Sequence, residues 1–297
     1  MKLNGLHILL TYQCTFECEH CFVWGSPRQT GVLTLDRIRQ VLTQARSAGV
    51  DWIYFEGGEP SLYYATLLAG TRQARQMGFH VGLVSNAYWA ISPEDALEFL
   101  RPFAGLLEDL SISNDLYHNS DMQGRQAHVA VAAARELGIP VGEISVAPPE
   151  DLNTASSLGQ LPASGSAVMF RGRAACRLVP RAGLQPWQRF TSCPHEDLRD
   201  PGRSHLDPLG YLHICQGISL GNVFETSLGE ICEQYDGGMH PICGPLLAGG
   251  PVALVEEYHL PHADGYADAC HLCYEARLAL RERFPGILLP DQMYGCE

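Results

Sequence analysis

Short apolar runs alternate with longer amphipathic stretches along the first 175 residues. The apolar runs, bounded by turn residues, predict strands at Gly5–Thr11, Trp52–Phe55, His80–Val84, Leu107–Ser113, Val141–Val146 and Ala167–Phe170. The stretches between them carry apolar residues at helical spacing and predict helices at about Leu35–Ala48, Leu62–Met77, Pro93–Leu100 and Met122–Leu137. Repeated alternation of this kind predicts an α/β fold built on a parallel sheet with right-handed crossovers.

The alternation stops after the sixth predicted strand. The segment His205–Cys215 predicts a hairpin that turns at Asp207–Gly210, and Ser227–Tyr235 predicts a short helix. An arginine-rich helix is expected to begin at Cys270 and to end near Pro285. The change of pattern predicts a second, smaller domain after the strand–helix repeats.

Composition describes an ordinary globular chain, whose 297 residues are 46% hydrophobic and 18% charged. A net charge of −13 argues against a nucleic-acid partner, which would need basic patches. The acidic field is compatible with a cationic substrate, although solubility alone explains it equally well. No apolar run approaches the roughly 20 residues of a membrane span, and the N-terminus lacks the pattern of a signal peptide. We therefore expect a cytoplasmic protein without membrane contact, in which the eleven cysteines are metal ligands or reactive thiols rather than disulfides.

Three cysteines follow the first predicted strand with the spacing CxxxCxxC, at Cys14, Cys18 and Cys21. A structural zinc site normally closes with four ligands, so three thiolates indicate a centre that keeps one position for another molecule. An iron–sulfur cluster held by three cysteines has such an open iron. A zinc site that borrows His20, or a set of buried thiols, also fits the spacing.

The surrounding motifs resemble those of the radical S-adenosylmethionine (SAM) superfamily. Phe22 follows the last cysteine, Gly57-Gly58-Glu59-Pro60 follows the second strand, and Ser85-Asn86 follows the third. The resemblance covers the whole chain and implies a partial (β/α)6 TIM barrel with its chemistry at the C-terminal strand ends. It also implies a [4Fe–4S] cluster on the three cysteines, whose open iron binds SAM before SAM is cleaved to a 5′-deoxyadenosyl radical. An electron donor such as flavodoxin or ferredoxin would supply the reducing electron.

The same resemblance implies which residues contact SAM. Gly57 and Gly58 lack side chains, so the backbone there could approach the SAM amino group, which Glu59 would help to position. The ends of the third and fourth strands would contact the carboxylate or ribose, through Ser85, Asn86, Ser111 and Ser113.

Two further carboxylates are tentative substrate ligands. Asp115 follows the fourth predicted strand, where capping of a turn explains it equally well. Glu143 lies on the fifth, and strict alternation points it either into the barrel lumen or towards the helices.

Arg171-Gly172-Arg173-Ala174 resembles the segment that leaves the barrel in radical SAM proteins with a SPASM or shortened twitch extension. This resemblance implies a barrel domain at residues 1–175 and an auxiliary-cluster domain at residues 176–297. Four cysteines would close a second [4Fe–4S] cluster with protein ligands alone, namely Cys193, Cys215, Cys270 and Cys273. A zinc ion on the same four thiolates would have the same CxxC signature.

Cys243 lies in a glycine- and proline-punctuated stretch that is not expected to be a regular helix or strand throughout. Thiols on loops carry function more often than thiols in cores. We hypothesise that this thiol returns a hydrogen atom to a substrate radical and so inverts a stereocentre. An inert loop thiol fits the sequence equally well.

Several functions are compatible with these motifs. The acidic charge, one auxiliary cluster and a spare thiol resemble the radical SAM epimerases of aminoglycoside biosynthesis, which favours an isomerase acting on a small cationic substrate. The first alternative is an oxidoreductase that dehydrogenates an aminocyclitol alcohol, with the auxiliary cluster as electron acceptor. A maturase of a ribosomally made peptide is disfavoured, because the first strand begins at residue 5 and leaves no room before it for a peptide-binding segment. A non-catalytic zinc protein is the distant alternative.

Overall fold

One large sheet carries most of the secondary structure in the computed structural model, which describes residues 1–115, 117, 121–147, 149 and 167–295. The strands in this part of the chain are β1 (Leu3–Leu9), β2 (Trp52–Glu56), β3 (His80–Ser85), β4 (Asp109–Ser113), β5 (Val141–Ile144), β6 (Gln185–Pro186), β7 (Gly202–Leu206), β8 (Tyr211–Cys215), β9 (Ile218–Asn222) and β10 (Gly265–Tyr266). The helices are α1 (Leu35–Ser47), α2 (Tyr64–Gln76), α3 (Pro93–Leu100), α4 (Asp121–Glu136), α5 (Arg173–Arg177), α6 (Leu228–Gln234), α7 (Cys243–Tyr258) and α8 (Ala269–Leu280).

The sheet runs in the order β5-β4-β3-β2-β1-β7-β8-β9. Strands β1 to β5 pair in parallel, and β7 joins the free edge of β1, also in parallel. The hairpins that add β8 and β9 are antiparallel. Helices α1 to α4 connect β1 to β5 in turn, which confirms the predicted α/β fold with its parallel sheet.

The predicted sixth strand, Ala167–Phe170, is wrong, because this segment pairs with no strand in the part of the chain that the structure describes. The Phe170 N–H donates to the Asp268 carboxylate at 3.1 Å instead. Val168 and Phe170 pack with Ala174 into a small apolar cluster, which explains the alternating pattern without a sheet partner. The position beside β1 is taken by β7, which comes later in the chain.

The two faces of the sheet differ in chemistry. Leu6 and Ile8 of β1 belong to the core beneath the helices, as do their register partners Ile53 and Phe55 in β2. Successive side chains of a strand point to opposite faces, so the residues between them, beginning with His7, lie on the other face. We call this other side of the sheet the lumen face.

The sheet and the apolar core both contain residues from before and after residue 175. One apolar cluster extends from Leu6 to Leu206 and Leu212 in the hairpin. A second joins Tyr12 to Leu272 in α8. The division into domains at residues 1–175 and 176–297 therefore stays a prediction.

Asp207 anchors the predicted hairpin turn between β7 and β8. Its Oδ1 accepts the N–H groups of Leu209 and Tyr211, both at 2.9 Å. Its Oδ2 accepts the Tyr12 hydroxyl at 2.8 Å and lies 3.0 Å from His213 Nε2, and the side chains of Asp207 and His213 are fully buried. This carboxylate ties the hairpin to the segment that leads into Cys14.

No helix among the described residues is long and apolar enough to cross a membrane.

Replacing Asp207 with alanine is expected to lower the free energy of unfolding by about 3–5 kcal/mol, because several buried donors lose their acceptor. Thermal unfolding followed by circular dichroism measures the change. The exposed Asp264 is the control, and its replacement by alanine should alter stability by less than about 0.5 kcal/mol. Equal stability of the two variants would contradict the anchoring role.

Candidate active site

The cysteine loop, residues 14–25, leaves the C-terminal end of β1. The Cys14 N–H donates to the Ser26 carbonyl at 3.0 Å. The sulfur of Cys14 accepts the Phe16 N–H at 3.4 Å, and that of Cys21 accepts the Gly25 N–H at 3.2 Å. Hydrogen bonds to cysteine sulfurs are one of the means by which proteins tune iron–sulfur clusters. The loop therefore fits the cluster that its cysteines predict.

The three thiols lie within electrostatic reach of one another. Burial raises the pKa of Cys14 to about 12, with Glu59 and Cys21 contributing against a hydrogen bond from the Phe16 backbone. Burial also raises the pKa of Cys18, and Cys21 and Cys14 add to the effect. Without a metal these two thiols are protonated at neutral pH, so binding of a metal centre must release protons.

Gly57 and Gly58 follow β2 and pack directly on the segment that leads into the cysteine loop. The Gly58 N–H donates to the Thr11 carbonyl at 2.7 Å, and the Glu59 N–H donates to the Gln13 carbonyl at 2.8 Å. A Cβ on Gly57 would collide with the Thr11 carbonyl, and one on Gly58 with the Gln13 carbonyl. The sequence suggested that these glycines leave space for SAM, whereas the structure gives them a packing role. Their contact with SAM stays a prediction.

Glu59 is fully buried and organises the end of β3. Its Oε1 accepts the Ser61 hydroxyl at 2.5 Å and the Ser85 hydroxyl at 3.0 Å, and its Oε2 accepts the Asn86 N–H at 2.8 Å. Burial raises the pKa of Glu59 in spite of these hydrogen bonds. The carboxylate thus holds Ser85 and Asn86 in place, and its own contact with SAM stays a prediction.

Asn86 connects β3 to the cysteine loop. Its amide nitrogen donates to the Thr15 hydroxyl at 3.0 Å and to the Cys14 sulfur at 3.6 Å. Ser85 is turned inward, because its hydroxyl also accepts the Trp89 indole N–H at 2.9 Å. Of this predicted SAM-binding pair, the structure therefore brings the side chain of Asn86 to the cysteines.

Ser111 and Ser113 alternate in β4 with Leu110 and Ile112, which belong to the helix-side core. The two serines therefore lie on the lumen face. Both are partly exposed. Their contact with SAM stays a prediction.

The two carboxylates predicted to bind substrate differ in position. Asp115 is buried and accepts the N–H groups of Tyr117 at 3.0 Å and Val146 at 3.3 Å, so it caps a turn, and its charge contributes to the raised pKa of Cys18. Glu143 pairs in register with Ile112, whose side chain lies in the helix-side core. Glu143 is exposed and accepts the Asn114 amide at 2.5 Å. Of the two directions that the sequence leaves open for Glu143, the strand register therefore selects the helix side over the lumen.

Arg173, in the segment that follows the predicted sixth strand, binds the backbone of the cysteine loop. Its guanidinium donates to the Cys18 carbonyl at 2.7 Å and to the Gly25 carbonyl at 2.9 Å, and the side chain is buried. Gly172 has a φ of +58°, and a Cβ there would meet the Cys21 carbonyl at 2.7 Å. The sequence marked this segment only as the exit from the barrel, and the loop contacts could not be read from it.

The four cysteines predicted to form the auxiliary site line one cavity. Cys193, Cys215, Cys270 and Cys273 share this cavity with two buried guanidinium groups, those of Arg171 and Arg277. The Nη1 atom of Arg171 lies 3.4 Å from the Cys215 sulfur, and the guanidinium of Arg277 also donates to the Cys273 carbonyl at 3.3 Å. Two buried cations beside four thiols fit an anionic group with sulfur ligands.

The segment that precedes Cys193 packs against a kink in helix α7. Gly250 has a φ of +66°, and a Cβ there would collide with the backbone of Thr191 and Ser192. The kink therefore lets the helix and the segment before Cys193 come into direct contact.

Sulfur spacing bears on the zinc alternatives. Among the described residues, two groups of three or more His, Cys, Asp or Glu ligand atoms lie within 4.8 Å of one another, and neither group contains more than one cysteine. Thiolates on one zinc ion, at about 2.3 Å each, would lie roughly 3.8 Å apart. No three sulfurs of either cysteine set therefore come as close together, in the part of the chain that the structure describes, as thiolates on one zinc ion would.

Cys243 is the first residue of α7 and is fully buried, so its prediction as a loop thiol is wrong. Burial raises the pKa of its thiol to about 12, with Cys215, Cys273 and Cys193 adding to the rise and a hydrogen bond with Tyr235 lowering it. The structure therefore places Cys243 with the auxiliary cysteines. Its role as hydrogen-atom donor stays a prediction.

Replacing Arg173 with lysine is expected to slow SAM cleavage at least about tenfold, equivalent to about 1.4 kcal/mol. A lysine ammonium cannot reproduce the planar fork that joins two carbonyls of the cysteine loop. Formation of 5′-deoxyadenosine and the iron content per chain measure the effect. Arg177→Lys on the exposed side of the same helix is the matched control and should behave as wild type. Wild-type rates with Arg173→Lys would show that the clamp is dispensable.

The proteins that resemble this chain include two named relatives and a solved structure. "Putative peptide biosynthesis protein YydG" of Bacillus subtilis (strain 168) is 24% identical over 267 residues, which cover 87% of this chain and 75% of YydG. "PqqA peptide cyclase" of Streptomyces rochei is 36% identical over 86 residues, which cover 28% of this chain and 22% of the cyclase. The structure "Native anSMEcpe with bound AdoMet" matches with a TM-score of 0.53 at 10% identity, covering 95% of this chain and 97% of anSMEcpe. At that identity the structural likeness supports the fold alone.

The family follows from the barrel and its cysteine loop. Residues 8–155 match the sequence model of the Radical SAM superfamily. This range includes the three cysteines, the Gly57-Gly58-Glu59 turn and Asn86, which the structure brings together at the C-terminal ends of β1, β2 and β3. The chain belongs to the radical SAM superfamily.

Proposed function

We propose that this chain is a radical SAM enzyme that modifies a peptide. The observation that carries the proposal is the likeness to YydG, whose name refers to peptide biosynthesis and which matches over 87% of the chain. A match of this extent covers most of the chain on both sides of residue 175. The shorter match to the PqqA peptide cyclase also favours a peptide substrate. These relatives favour a peptide over the small cationic substrate expected from the acidic charge.

Superfamily membership implies a [4Fe–4S] cluster and SAM, which together supply a 5′-deoxyadenosyl radical that abstracts a hydrogen atom from the substrate. Cys14, Cys18 and Cys21 would hold the cluster. The side chain of Asn86 already contacts the Cys14 sulfur, so it would stand beside any ligand of the open iron. Arg173 fixes the backbone of the cysteine loop at Cys18 and Gly25.

We propose a second [4Fe–4S] cluster on the four auxiliary cysteines. Four thiolates satisfy such a cluster without an outside ligand. The guanidinium groups of Arg171 and Arg277 would offset its negative charge within a buried cavity. Arg171 also links the two sites, because its guanidinium lies 5.4 Å from the ring centroid of Phe22 in the cysteine loop and contacts the Cys215 sulfur.

For the outcome of the reaction we propose epimerisation of one residue of the peptide. The substrate carbon would lose a hydrogen atom to the 5′-deoxyadenosyl radical and regain one from the Cys243 thiol on the opposite side. The resulting thiyl radical would be returned to a thiol by one electron from the reductant and one proton from solvent. Oxidation of the peptide is the second candidate, supported by the short connection through Arg171 that would let an electron pass to the auxiliary site.

Anaerobic reconstitution followed by assay with SAM and dithionite tests the peptide proposal. Short peptides encoded beside the gene are offered as substrates, with a panel of aminoglycosides in parallel. We expect 5′-deoxyadenosine and a modified product with a peptide, and neither with an aminoglycoside. In deuterated water an epimerised peptide gains one mass unit, whereas an oxidised peptide loses two.

Metal content and inactive variants control this assay. Two clusters correspond to about eight irons per chain, and Cys270→Ser should lower this to about four. Cys14→Ala should abolish 5′-deoxyadenosine formation with every compound. Turnover of an aminoglycoside but of no peptide would contradict the proposal.

Cys243→Ala is expected to retain 5′-deoxyadenosine formation and to lose the inverted peptide, because the radical no longer has a hydrogen donor. Mass spectrometry in deuterated water and chiral amino-acid analysis measure both quantities. Cys232→Ala is the matched control, since Cys232 is also buried but lies on α6 in the other apolar cluster. An inverted product at the wild-type rate from Cys243→Ala would exclude this thiol as the donor.

A further inference from the structure

A group of two histidines and one glutamate lies on the lumen face and includes no residue of either cysteine set. His7 comes from β1, Glu56 from β2 and His205 from β7, which are neighbours in the sheet. His7 and His205 are direct register partners, and Glu56 pairs with Leu9, two residues further along β1. The three side chains therefore converge from adjacent strands onto one place.

The ligand atoms of this group have the spacing of a metal site. His7 Nδ1 lies 3.3 Å and His205 Nε2 lies 3.2 Å from the same oxygen, Glu56 Oε1. All three atoms lie within 4.8 Å of one another. Ligands at about 2.0–2.1 Å from a tetrahedral zinc ion are separated by roughly 3.4 Å, which is close to both distances.

Hydrogen bonding within the group does not account for its geometry. His7 Nδ1 and Glu56 Oε1 are buried, and neither has a hydrogen-bond partner of favourable geometry among the described residues, although the two atoms lie 3.3 Å apart. Buried polar atoms in proteins are nearly always hydrogen-bonded or bound to water or an ion. Atoms that converge without donating to one another are expected where a cation lies between them.

Packing holds the imidazoles in this orientation. His7 stacks on Tyr54 at a centroid distance of 4.6 Å, and the edge of Phe22 packs on His205 at 5.8 Å. The side chains of all three residues are less than one-fifth exposed.

We propose that His7, Glu56 and His205 bind one divalent transition-metal ion, with Zn²⁺ as the probe ion, on the lumen face of the sheet. Two imidazoles and one carboxylate are a donor set that zinc and iron(II) both accept. Three protein ligands leave at least one position on the ion open to an oxygen or nitrogen atom from another molecule. The site is independent of the peptide proposal, because it uses neither set of cysteines.

Zinc binding by the untagged, anaerobically reconstituted enzyme tests this site. The protein is dialysed against micromolar Zn²⁺, and zinc and iron are counted together by mass spectrometry. We expect about one zinc per chain in the wild type with its iron content unchanged. Glu56→Gln and His205→Ala should each weaken zinc binding at least about tenfold without loss of iron.

His80→Gln is the matched control, since His80 lies on β3 and pairs with Glu108 outside the group. It should bind zinc as the wild type does. X-ray absorption at the zinc edge gives a second measurement that needs no variant, and it should show nitrogen and oxygen neighbours only. A wild-type enzyme without zinc, zinc retained in both variants, or sulfur neighbours at about 2.3 Å would each overturn the proposal.

Discussion

The site depends on the direct contact of two backbone segments, Thr11–Gln13 after β1 and Gly57–Glu59 after β2. Two N–H groups of the second segment donate to carbonyls of the first, at a distance that excludes any side chain on Gly57 or Gly58. The position of the cysteine loop relative to β2 is therefore set by main-chain hydrogen bonds. Glu59 extends the constraint to β3, because its carboxylate holds the backbone of Asn86, whose side chain reaches Cys14.

The segment Arg171-Gly172-Arg173 provides a similar constraint between the two cysteine sets. Arg173 binds two carbonyls of the cysteine loop, and Arg171 contacts the auxiliary Cys215 and Glu196. Gly172 lets the segment pass against Cys21 and Phe22 with a positive φ. Three consecutive residues thus contact both the cysteine loop and the auxiliary cysteines.

Sequence patterns predicted the elements whose signal is local. Strands β1 to β5, helix α3 and the hairpin turn at Asp207 follow from apolar periodicity, capping residues and turn residues. Ala167–Phe170 was misassigned, because alternating burial appears equally in a strand and in an unpaired segment that packs on one side. Cys243 was misassigned for a related reason, since glycine and proline broke the helical pattern although α7 only kinks at Gly250.

Contacts between distant segments had no comparable signal. His7 and His205 are register partners 198 residues apart, and only the arrival of β7 beside β1 brings them together. The sequence offered the alternation of both strands but not their pairing. The arginines at 171 and 173 were visible in a motif, yet the carbonyls and sulfur that they bind lie in other parts of the chain.

The late arrival of β7 also couples the barrel to the auxiliary site. Cys193 precedes β7, and Cys215 ends β8, so two of the four auxiliary cysteines flank the hairpin that completes the sheet. Asp207 in the turn of that hairpin binds the hydroxyl of Tyr12, two residues before the first cysteine of the loop. A displaced hairpin would therefore disturb the auxiliary cysteines, the start of the cysteine loop and His205 together. The two cysteine sets are thus parts of one folded structure, because the hairpin that carries Cys215 joins the sheet beside β1.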